Sequence, residues 1–402
     1  MLIVLLIMVA ASCNDKRQAE HAVQKNTLAP GSFQYDLAFL KKYDSVVVLE
    51  AGDARVIVSP KYQGKVFTST GDADSGRSFG WIHYKAFDAP LDPHINAYGG
   101  ENRLWLGPEG GKYALFFSPG SNLEFANWKT PAEFDSEPWE VLSQDARSVQ
   151  MEKQMQLLNF SGTHLSITVR RSVQILKRSA IDSLLELGHV PGIKPVGYAT
   201  ENVIVNNGHD AWTDQGGTPC LWILDMFPPS DSTTIVIPIR QTKSTGAVST
   251  DYFGTIPGNR LVVKDSVVYF KADGRMRGKL GIAPLAAKPV AGSYDAKNKV
   301  LTIALYDVHP YAKYMNQQWK LLKNPFAGDA MNAYNDGPLE DGRQLGPFYE
   351  LESVSRAALL QPGQSITHTH SVFHFTGENI SLDYIAKKIL GVSIHDMETV
   401  FK

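Results

Sequence analysis

Short segments rich in β-branched and aromatic residues recur from about residue 45 to residue 375, each bounded by Gly, Pro, Asn or Asp. This pattern is typical of β-strands separated by turns. The predicted strands are 45–49, 54–59, 65–69, 113–118, 148–159, 165–176, 196–205, 221–227, 233–239, 261–271, 300–307, 348–354 and 366–375. Short helices are predicted at 35–42, 179–187 and 382–390, the last with Ser381 as its N-cap. Because helices do not alternate with strands, the sequence predicts an all-β fold, a large antiparallel β-sandwich with a few short helices.

The beginning of the chain has the layout of a lipoprotein signal. Residues 2–9 are apolar and are followed by the small residues 10–12 and then Cys13. The apolar run is too short for a membrane-spanning helix, which needs about 20 residues, and the small residues suit peptidase cleavage. The sequence therefore predicts a chain that is lipid-anchored at Cys13 in the cell envelope, periplasmic or surface-facing, with the membrane as a partner.

The predicted domain organisation follows from this signal and from the β pattern. Residues 1–12 are the predicted signal peptide, and the polar stretch 13–32 is a flexible tether. Residues 33–378 form the predicted β-supersandwich domain, and 379–402 form a C-terminal helical tail.

Charge and missing motifs exclude several functions. The chain of 402 residues has a formal net charge of −2 and no block of Lys or Arg, which argues against a nucleic-acid partner. It contains no P-loop, no strand-linked GxGxxG, no GxSxG, no HExxH and no CxxC motif. Nucleotide binding, serine hydrolysis and zincin chemistry are therefore not predicted.

Glycines surround a polar and aromatic group in segment 98–111. Glycine lets the backbone approach a ligand closely, Arg and Glu together can hold vicinal hydroxyls, and a Trp face can stack on a sugar ring. The alternative is a turn-rich hairpin whose Arg and Glu form an ion pair. The candidate sugar-binding residues in this segment are Glu101, Asn102, Arg103, Trp105 and Glu109.

A second candidate group follows the predicted strand that ends at residue 205. His209 stands beside Asp210 and close to Trp212. An acid beside a histidine can fix one tautomer, so that the imidazole serves as acid or base near neutral pH. Turn chemistry alone could also select the Asn-Asn-Gly that precedes His209.

A third group combines Asn335 and Asp336 with Glu350 and Glu352. On a strand the two glutamates point to the same face. Two carboxylates that lie close together raise the pKa of one of them, which is how a general base is tuned. The alternative is an acidic edge that faces solvent.

Three histidines, His368, His370 and His374, lie near the end of the β region. On an uninterrupted strand they share one face, and neutral imidazoles can bind a divalent metal. Alternate residues are about 7 Å apart, however, too far for both to ligate easily without a bend. They are therefore only weak candidates, and no metal is predicted.

The opening strands resemble those of the galactose mutarotase-like (aldose 1-epimerase-like) proteins. These proteins also begin with a strand, a turn and a Ser-Pro hairpin, which correspond to 48–53 and 58–66 here. Segments 346–353 and 360–365 are similar to the closing strands of that superfamily. More closely, residues 44–375 resemble a group of uncharacterised bacterial lipoproteins placed in it.

The resemblance implies a galactose mutarotase-like supersandwich with a sugar or glycan ligand and no cofactor. In the epimerases a glutamate takes the proton of the anomeric hydroxyl while a histidine protonates the ring oxygen. By position, Glu350 or Glu352 is the base, His209 is the acid, and Arg103 orients the substrate. His209 is followed by Asp-Ala-Trp rather than by the Tyr-Phe-Asn of the epimerases, and His83 and His94 both remain candidates for the second histidine.

Two other functions remain open on the same scaffold. One is a non-catalytic glycan-binding lipoprotein that uses Trp81, Trp105, Trp212 and Trp319 as stacking platforms. The other is a lyase or hydrolase that acts on polysaccharides, because a fold does not fix a function. An epimerase requires His209 and a glutamate to converge on one pocket, whereas a binding protein requires only a polar and aromatic groove.

Overall fold

The computed structural model describes residues 29–242, 246–339 and 341–402. The predicted signal peptide, Cys13 and most of the predicted tether lie outside the described residues. No helix among those residues is long and apolar enough to cross a membrane.

Strands make up most of the described chain. In chain order they are β1 (Val47–Ala51), β2 (Ala54–Ser59), β3 (Lys65–Thr70), β4 (Arg103–Gly107), β5 (Glu140–Gln144), β6 (Ser148–Leu158), β7 (His164–Ile175), β8 (Ile193–Asn206), β9 (Cys220–Phe227), β10 (Thr233–Pro238), β11 (Val248–Ser249), β12 (Leu261–Lys264), β13 (Val267–Lys271), β14 (Gly278–Ile282), β15 (Val290–Asp295), β16 (Val300–Tyr306), β17 (Met331–Asn335), β18 (Tyr349–Val354) and β19 (Ser365–Gly377). The helices are α1 (Phe33–Leu40), α2 (Arg178–Leu184), α3 (Asn379–Leu390) and α4 (Ile394–Thr399), with 3₁₀ turns at Ala73–Ser75, Tyr84–Phe87, Phe125–Asn127 and Ala132–Phe134.

The strands form three antiparallel sheets. A ten-stranded sheet has the order β12-β13-β10-β15-β16-β19-β8-β7-β6-β5, and a six-stranded sheet has the order β11-β14-β17-β18-β9-β4. A three-stranded sheet, β1-β2-β3, adjoins the six-stranded one through a single bridge between Val66 and Asn102. The predicted all-β antiparallel sandwich is therefore confirmed.

The core lies between the ten-stranded and six-stranded sheets. The largest hydrophobic cluster draws on the facing sides of both, with Val173 and Val372 from one sheet and Ile223 and Leu351 from the other. The far side of the ten-stranded sheet is covered by α2, α3 and α4, whose residues pack on β10, β16 and β19. This leaves the outer face of the six-stranded sheet to be covered by loops.

Several predicted elements have different bounds or a different structure. The predicted strand 113–118 is wrong, because these residues are a buried loop held by bonds such as Leu115 N to Pro108 O. Its apolar run reflects burial rather than pairing. The predicted strand 261–271 is two strands, since Asp265 and Ser266 adopt φ values of 51° and 60° and close a two-residue hairpin. The C-terminal helix begins at Asn379, and the Ser381 hydroxyl donates to Pro191 O instead of capping it.

Candidate functional site

Two glutamates of β18 lie on the outer face of the six-stranded sheet. Side chains alternate along a strand, and the register aligns Glu350 with Tyr334 of β17 and Met226 of β9. Glu352 aligns with Asn332 and Leu224 in the same way. Both glutamates are buried, with exposures of 6% and 1%, so the alternative of a solvent-facing acidic edge is wrong.

Each glutamate faces a buried cation from another strand. The Arg103 guanidinium of β4 donates to Glu350 Oε1 at 2.7 Å. The Lys279 ammonium of β14 donates to Glu352 Oε2 at 2.8 Å, and Trp222 Nε1 donates to the same oxygen at 2.8 Å. We call this group, Arg103, Trp222, Lys279, Glu350 and Glu352, the glutamate face.

Aromatic rings pack against both cations. The Arg103 guanidinium lies 4.5 Å from the ring centre of Trp105, and the Lys279 ammonium lies 4.7 Å from that of Trp222. The two indoles meet edge to face at 5.7 Å. Cations placed over aromatic faces in this way are stabilised by the ring quadrupole, so the rings help to keep two charges in a buried position.

Burial sets the protonation of the glutamate face. It raises the pKa of Glu350 to about 8, and the neighbouring Glu352 adds to the rise, against the opposing attraction of Arg103 and Lys279. Burial alone would lower the pKa of Lys279, but attraction to Glu352, Glu109 and Glu350 outweighs it and leaves that pKa raised. Lys279 therefore stays charged at neutral pH, whereas Glu350 is largely protonated.

Several buried polar atoms on this face have no hydrogen-bond partner among the described residues. They are Arg103 Nε, Trp105 Nε1, Asn332 Oδ1 and Glu352 Oε1. Buried polar groups are rarely left unpaired, and these four come from three strands of one sheet, β4, β17 and β18. The set contains two donors and two acceptors, which is the pattern that a hydroxyl-rich ligand can satisfy.

A separate polar network lies between the two large sheets, behind the glutamate face. Asp225 of β9 accepts from Asn102 Nδ2 at 2.6 Å and pairs with His370 Nε2 at 2.8 Å. His370 Nδ1 and His368 Nε2 both lie 2.8 Å from the Ser353 hydroxyl oxygen. The Arg171 guanidinium donates to the side-chain oxygens of Asn102 and Asn202. These side chains are all nearly fully buried.

The proton positions in this network follow from the donor and acceptor inventory. If His370 donates from Nε2 to Asp225, its neutral ring accepts at Nδ1, so the Ser353 hydroxyl donates to His370. Ser353 Oγ must then accept from His368 Nε2. A further proton on His368 would be buried among these side chains. Burial, with the nearby His370, lowers the pKa of His368 to about 3.

This arrangement predicts a loss of stability in mild acid. An unfolded histidine titrates near 6.5, so between pH 6.5 and about 3 the unfolded chain binds a proton that the folded chain excludes. As the pH falls through this range, the free energy of unfolding is expected to decrease by up to about 1.4 kcal/mol per pH unit because of this histidine. Urea unfolding of the native chain and His368→Gln at pH 7, 6, 5 and 4 measures it. If the free energy of unfolding has the same slope against pH in both chains, the prediction is wrong. His209→Gln, which changes an exposed histidine, is the control.

The structure divides the predicted sugar-binding residues of segment 98–111 between two faces. Arg103 belongs to the glutamate face, and the Trp105 ring packs against it. Arg103 pairs with Glu350 rather than with a glutamate of its own segment. Asn102 lies in the inter-sheet network, and Glu101 accepts from Ser69 and meets His374 between the sheets. Glu109, in the loop after β4, accepts from Trp128 Nε1 at 3.1 Å, and burial raises its pKa.

The structure does not bring His209 to the glutamates. His209 and Asp210 are exposed on the loop after β8, whereas Trp212 is buried in the core. The backbone of Trp212 bonds to Leu360, six residues beyond the end of β18, while Glu350 lies near the start of that strand. The pairing of His209 with Glu350 or Glu352 is therefore not present among the described residues: His209 follows β8 of the ten-stranded sheet, whereas both glutamates lie on the outer face of the six-stranded sheet.

The remaining predicted residues have structural partners. Asn335 bonds to the backbone of Gly274 and Met276, and Asp336 accepts from the Tyr334 hydroxyl and from Gly346 N. The three histidines of β19 do share one buried face, but His374 bonds to Thr302 and Glu101. Within the described ranges no group of three or more His, Cys, Asp or Glu side chains is arranged to hold a metal.

The other aromatic and histidine candidates lie in packed positions. Trp81 is 8% exposed and packs on Phe348. The His83 ring stacks on the Trp81 ring, and His83 Nδ1 is hydrogen-bonded to Ala97 O. His94 bonds to Trp128 O. Trp319 is partly buried beside Trp128.

Sequence reasoning missed Lys279 and Trp222. Lys279 stands in the run Gly278–Ile282, which is otherwise apolar or small, and Trp222 stands in Cys220–Phe227. Every residue of these two strands is buried. A lysine inside such a run is rarely buried unless it is paired. A charged lysine in an otherwise apolar run could therefore have pointed to Lys279. The sequence around Trp222 has no such feature.

The profile of a family of unknown function (DUF6786) matches residues 31–401. No curated protein matches the chain.

Among solved structures, the chain is similar to the Slr1438 protein of Synechocystis sp. PCC 6803, with 15% identity over 83% of this chain and 96% of that one and a TM-score of 0.49. A galactose mutarotase-like protein of Lactobacillus casei ATCC 334 has 9% identity over 82% and 100%, with a TM-score of 0.45. A galactose mutarotase related enzyme of Lactobacillus acidophilus has 9% identity over 82% and 97%, with a TM-score of 0.44. These include proteins of the class predicted from the sequence.

Proposed function

The chain belongs to the family of unknown function DUF6786, and from its site we propose that the glutamate face binds a sugar and catalyses aldose 1-epimerase-type anomer exchange. The observation that carries the proposal is the convergence of two buried carboxylates and two buried cations beside Trp105 and Trp222. Anomer exchange requires a proton acceptor and a proton donor and needs no cofactor.

The two glutamates divide these roles. Glu352 Oε2 is held by Lys279 and Trp222, while Glu352 Oε1 has no partner among the described residues. This oxygen is the acceptor for the proton of the anomeric hydroxyl. Glu350, which burial keeps largely protonated at neutral pH, is the donor to the ring oxygen. Carboxyl pairs whose environments push their pKa values apart are a common basis for acid and base roles.

The proton balance is complete without another group. Glu352 takes the proton of the anomeric hydroxyl, the bond from the anomeric carbon to the ring oxygen breaks, and Glu350 protonates that oxygen. The carbonyl group formed then rotates, and the reverse transfers close the ring on its other face. This scheme replaces His209 by Glu350 as the acid, since His209 does not reach the site.

The first experiment measures α/β anomer exchange of free aldoses by one-dimensional NMR in the presence of the full chain. We expect exchange to be faster than in buffer alone for at least one aldose. Binding of the same sugars is followed by tryptophan fluorescence, because Trp105 and Trp222 contact the two cations of the site. If no sugar binds and no exchange is accelerated, the proposal is wrong.

Non-catalytic glycan binding is the second candidate function. The observation that favours it is that both glutamate side chains already bind a cation of the protein, Arg103 or Lys279, and that no histidine joins them on this face within the described part of the chain. Sugar binding without faster anomer exchange would select this function.

We further propose that the chain is exported and lipid-anchored at Cys13, on the strength of the apolar run and the small residues before this cysteine. Cells that express the full chain and are fed a radiolabelled fatty acid should incorporate label into it and carry it in the membrane fraction. Cys13→Ser should lose both properties. Label in Cys13→Ser at the native level would exclude this anchor.

A further inference from the structure

A third cation lies at the border of the glutamate face. Arg277 immediately precedes β14, two residues before Lys279, and its guanidinium lies 3.8 Å from the ring centre of Phe253. Arg277 Nε donates to the Tyr334 hydroxyl at 3.3 Å. Tyr334 aligns with Lys279 on one side and Glu350 on the other. Arg277 is thus connected to the site through one side chain.

Arg277 differs from Arg103 and Lys279 in its partners. Among the described residues, no carboxylate lies within ion-pair distance of Arg277, whereas Arg103 and Lys279 each face a glutamate. The nearby Asp336 accepts from the Tyr334 hydroxyl and Gly346 N instead. Within the described ranges, the Nη donors of this guanidinium therefore have no protein anion. A guanidinium can hold a carboxylate or phosphate through two parallel hydrogen bonds.

A second observation points to the same kind of ligand. Arg103 is only 5% exposed, yet its Nε has no acceptor among the described residues. A buried guanidinium donor without an acceptor is costly unless a ligand supplies one. In the part of the chain that the structure describes, two arginines on one side of the sheet, Arg103 and Arg277, therefore both lack acceptors for some of their donors.

The protonation of the acids supports this reading. Burial raises the pKa of both Glu109 and Glu350, while the pKa of Lys279 is also raised. Because the pKa of Glu350 is raised to about 8, this side chain carries little negative charge at neutral pH, whereas Lys279 stays charged. The balance of the site is therefore positive.

We propose that the site takes an acidic sugar, a uronate or a sugar phosphate, whose anionic group is held by Arg277. This inference rests on the proposed function, because it names the substrate class of the same site. The shared chemistry of the two ligands is a planar or tetrahedral oxyanion on a pyranose, recognised by a guanidinium beside the glutamates.

The test titrates the full chain with three groups of sugars by calorimetry: glucuronate and galacturonate, glucose 6-phosphate and galactose 6-phosphate, and the neutral parents glucose and galactose. Acidic sugars should bind at least about tenfold more tightly than their parents, as a charge-assisted pair implies. Arg277→Gln should reduce this preference to near unity. Arg275→Gln is the matched control, since Arg275 is exposed and pairs with Asp231.

Each outcome decides between the two proposals. A preference confined to uronates or to phosphates supports the inference and identifies the anionic group, and a preference for both also supports it. Neutral sugars that bind as tightly as acidic ones, or a preference that survives Arg277→Gln, overturn this inference and leave the proposed function standing. If no sugar of any group binds, the proposed function fails and this inference fails with it.

Discussion

Replacing Asp225 with Ala is expected to lower the free energy of unfolding by about 3–5 kcal/mol, as is usual when one partner of a buried charge network is removed. The change leaves His370 Nε2 and Asn102 Nδ2 without their acceptor. It also leaves the buried Arg171 without the attraction of the Asp225 charge, which acts to raise its pKa. Urea unfolding followed by far-UV circular dichroism at pH 7 measures the loss.

Two variants act as controls for this result. Asp225→Asn keeps an acceptor oxygen but removes the charge, so its loss should be smaller than that of Asp225→Ala. Asp210→Ala changes an exposed aspartate and should stay within about 0.5 kcal/mol of the native chain. A loss below about 1 kcal/mol in Asp225→Ala would show that the network does not stabilise the packing of the two sheets.

Glu352→Gln and Glu350→Gln are each expected to reduce the catalysed rate of anomer exchange by about 10²–10⁴-fold, the usual contribution of one positioned acid or base. The pH profile separates the roles. Because Glu350 acts in its protonated form and its pKa is raised to about 8, the catalysed rate should decline as the pH rises through about 8. Glu350→Gln should remove both the activity and this decline of the rate at high pH.

The control for catalysis is His209→Ala, which should keep the native rate because His209 lies on an exposed loop away from the glutamates. A large loss in this variant would contradict the division of roles between Glu350 and Glu352. Glu352→Gln leaves the Lys279 ammonium buried without its carboxylate, so its melting temperature is measured as well. If it unfolds, the double variant Lys279→Met with Glu352→Gln removes the charge pair as a unit and permits the comparison.

The fold class and most of the strands were predictable from local sequence patterns. Alternating and β-branched segments bounded by turn residues predicted 54–59 as a strand with the bounds that the structure has, and 165–176 and 366–375 within one or two residues. Strands can be predicted from such local patterns because side chains alternate between two faces along a strand and because Gly, Pro and Asn mark its ends. The same period correctly put Glu350 and Glu352 on one face.

Which side chains meet in the site depends on how distant strands pair. Arg103 reaches Glu350 across 247 residues of sequence, and Lys279 reaches Glu352 across 73, contacts that depend on the strand order β14-β17-β18-β9-β4. That order arises from pairing between distant strands, which no local pattern records. For the same reason His209, adjacent in sequence to plausible partners, lies elsewhere, and neighbours such as Asn102 and Arg103 face opposite sides of one sheet. The sequence therefore identified the types of residue in the site, but the strand order of the six-stranded sheet is what brings these residues together.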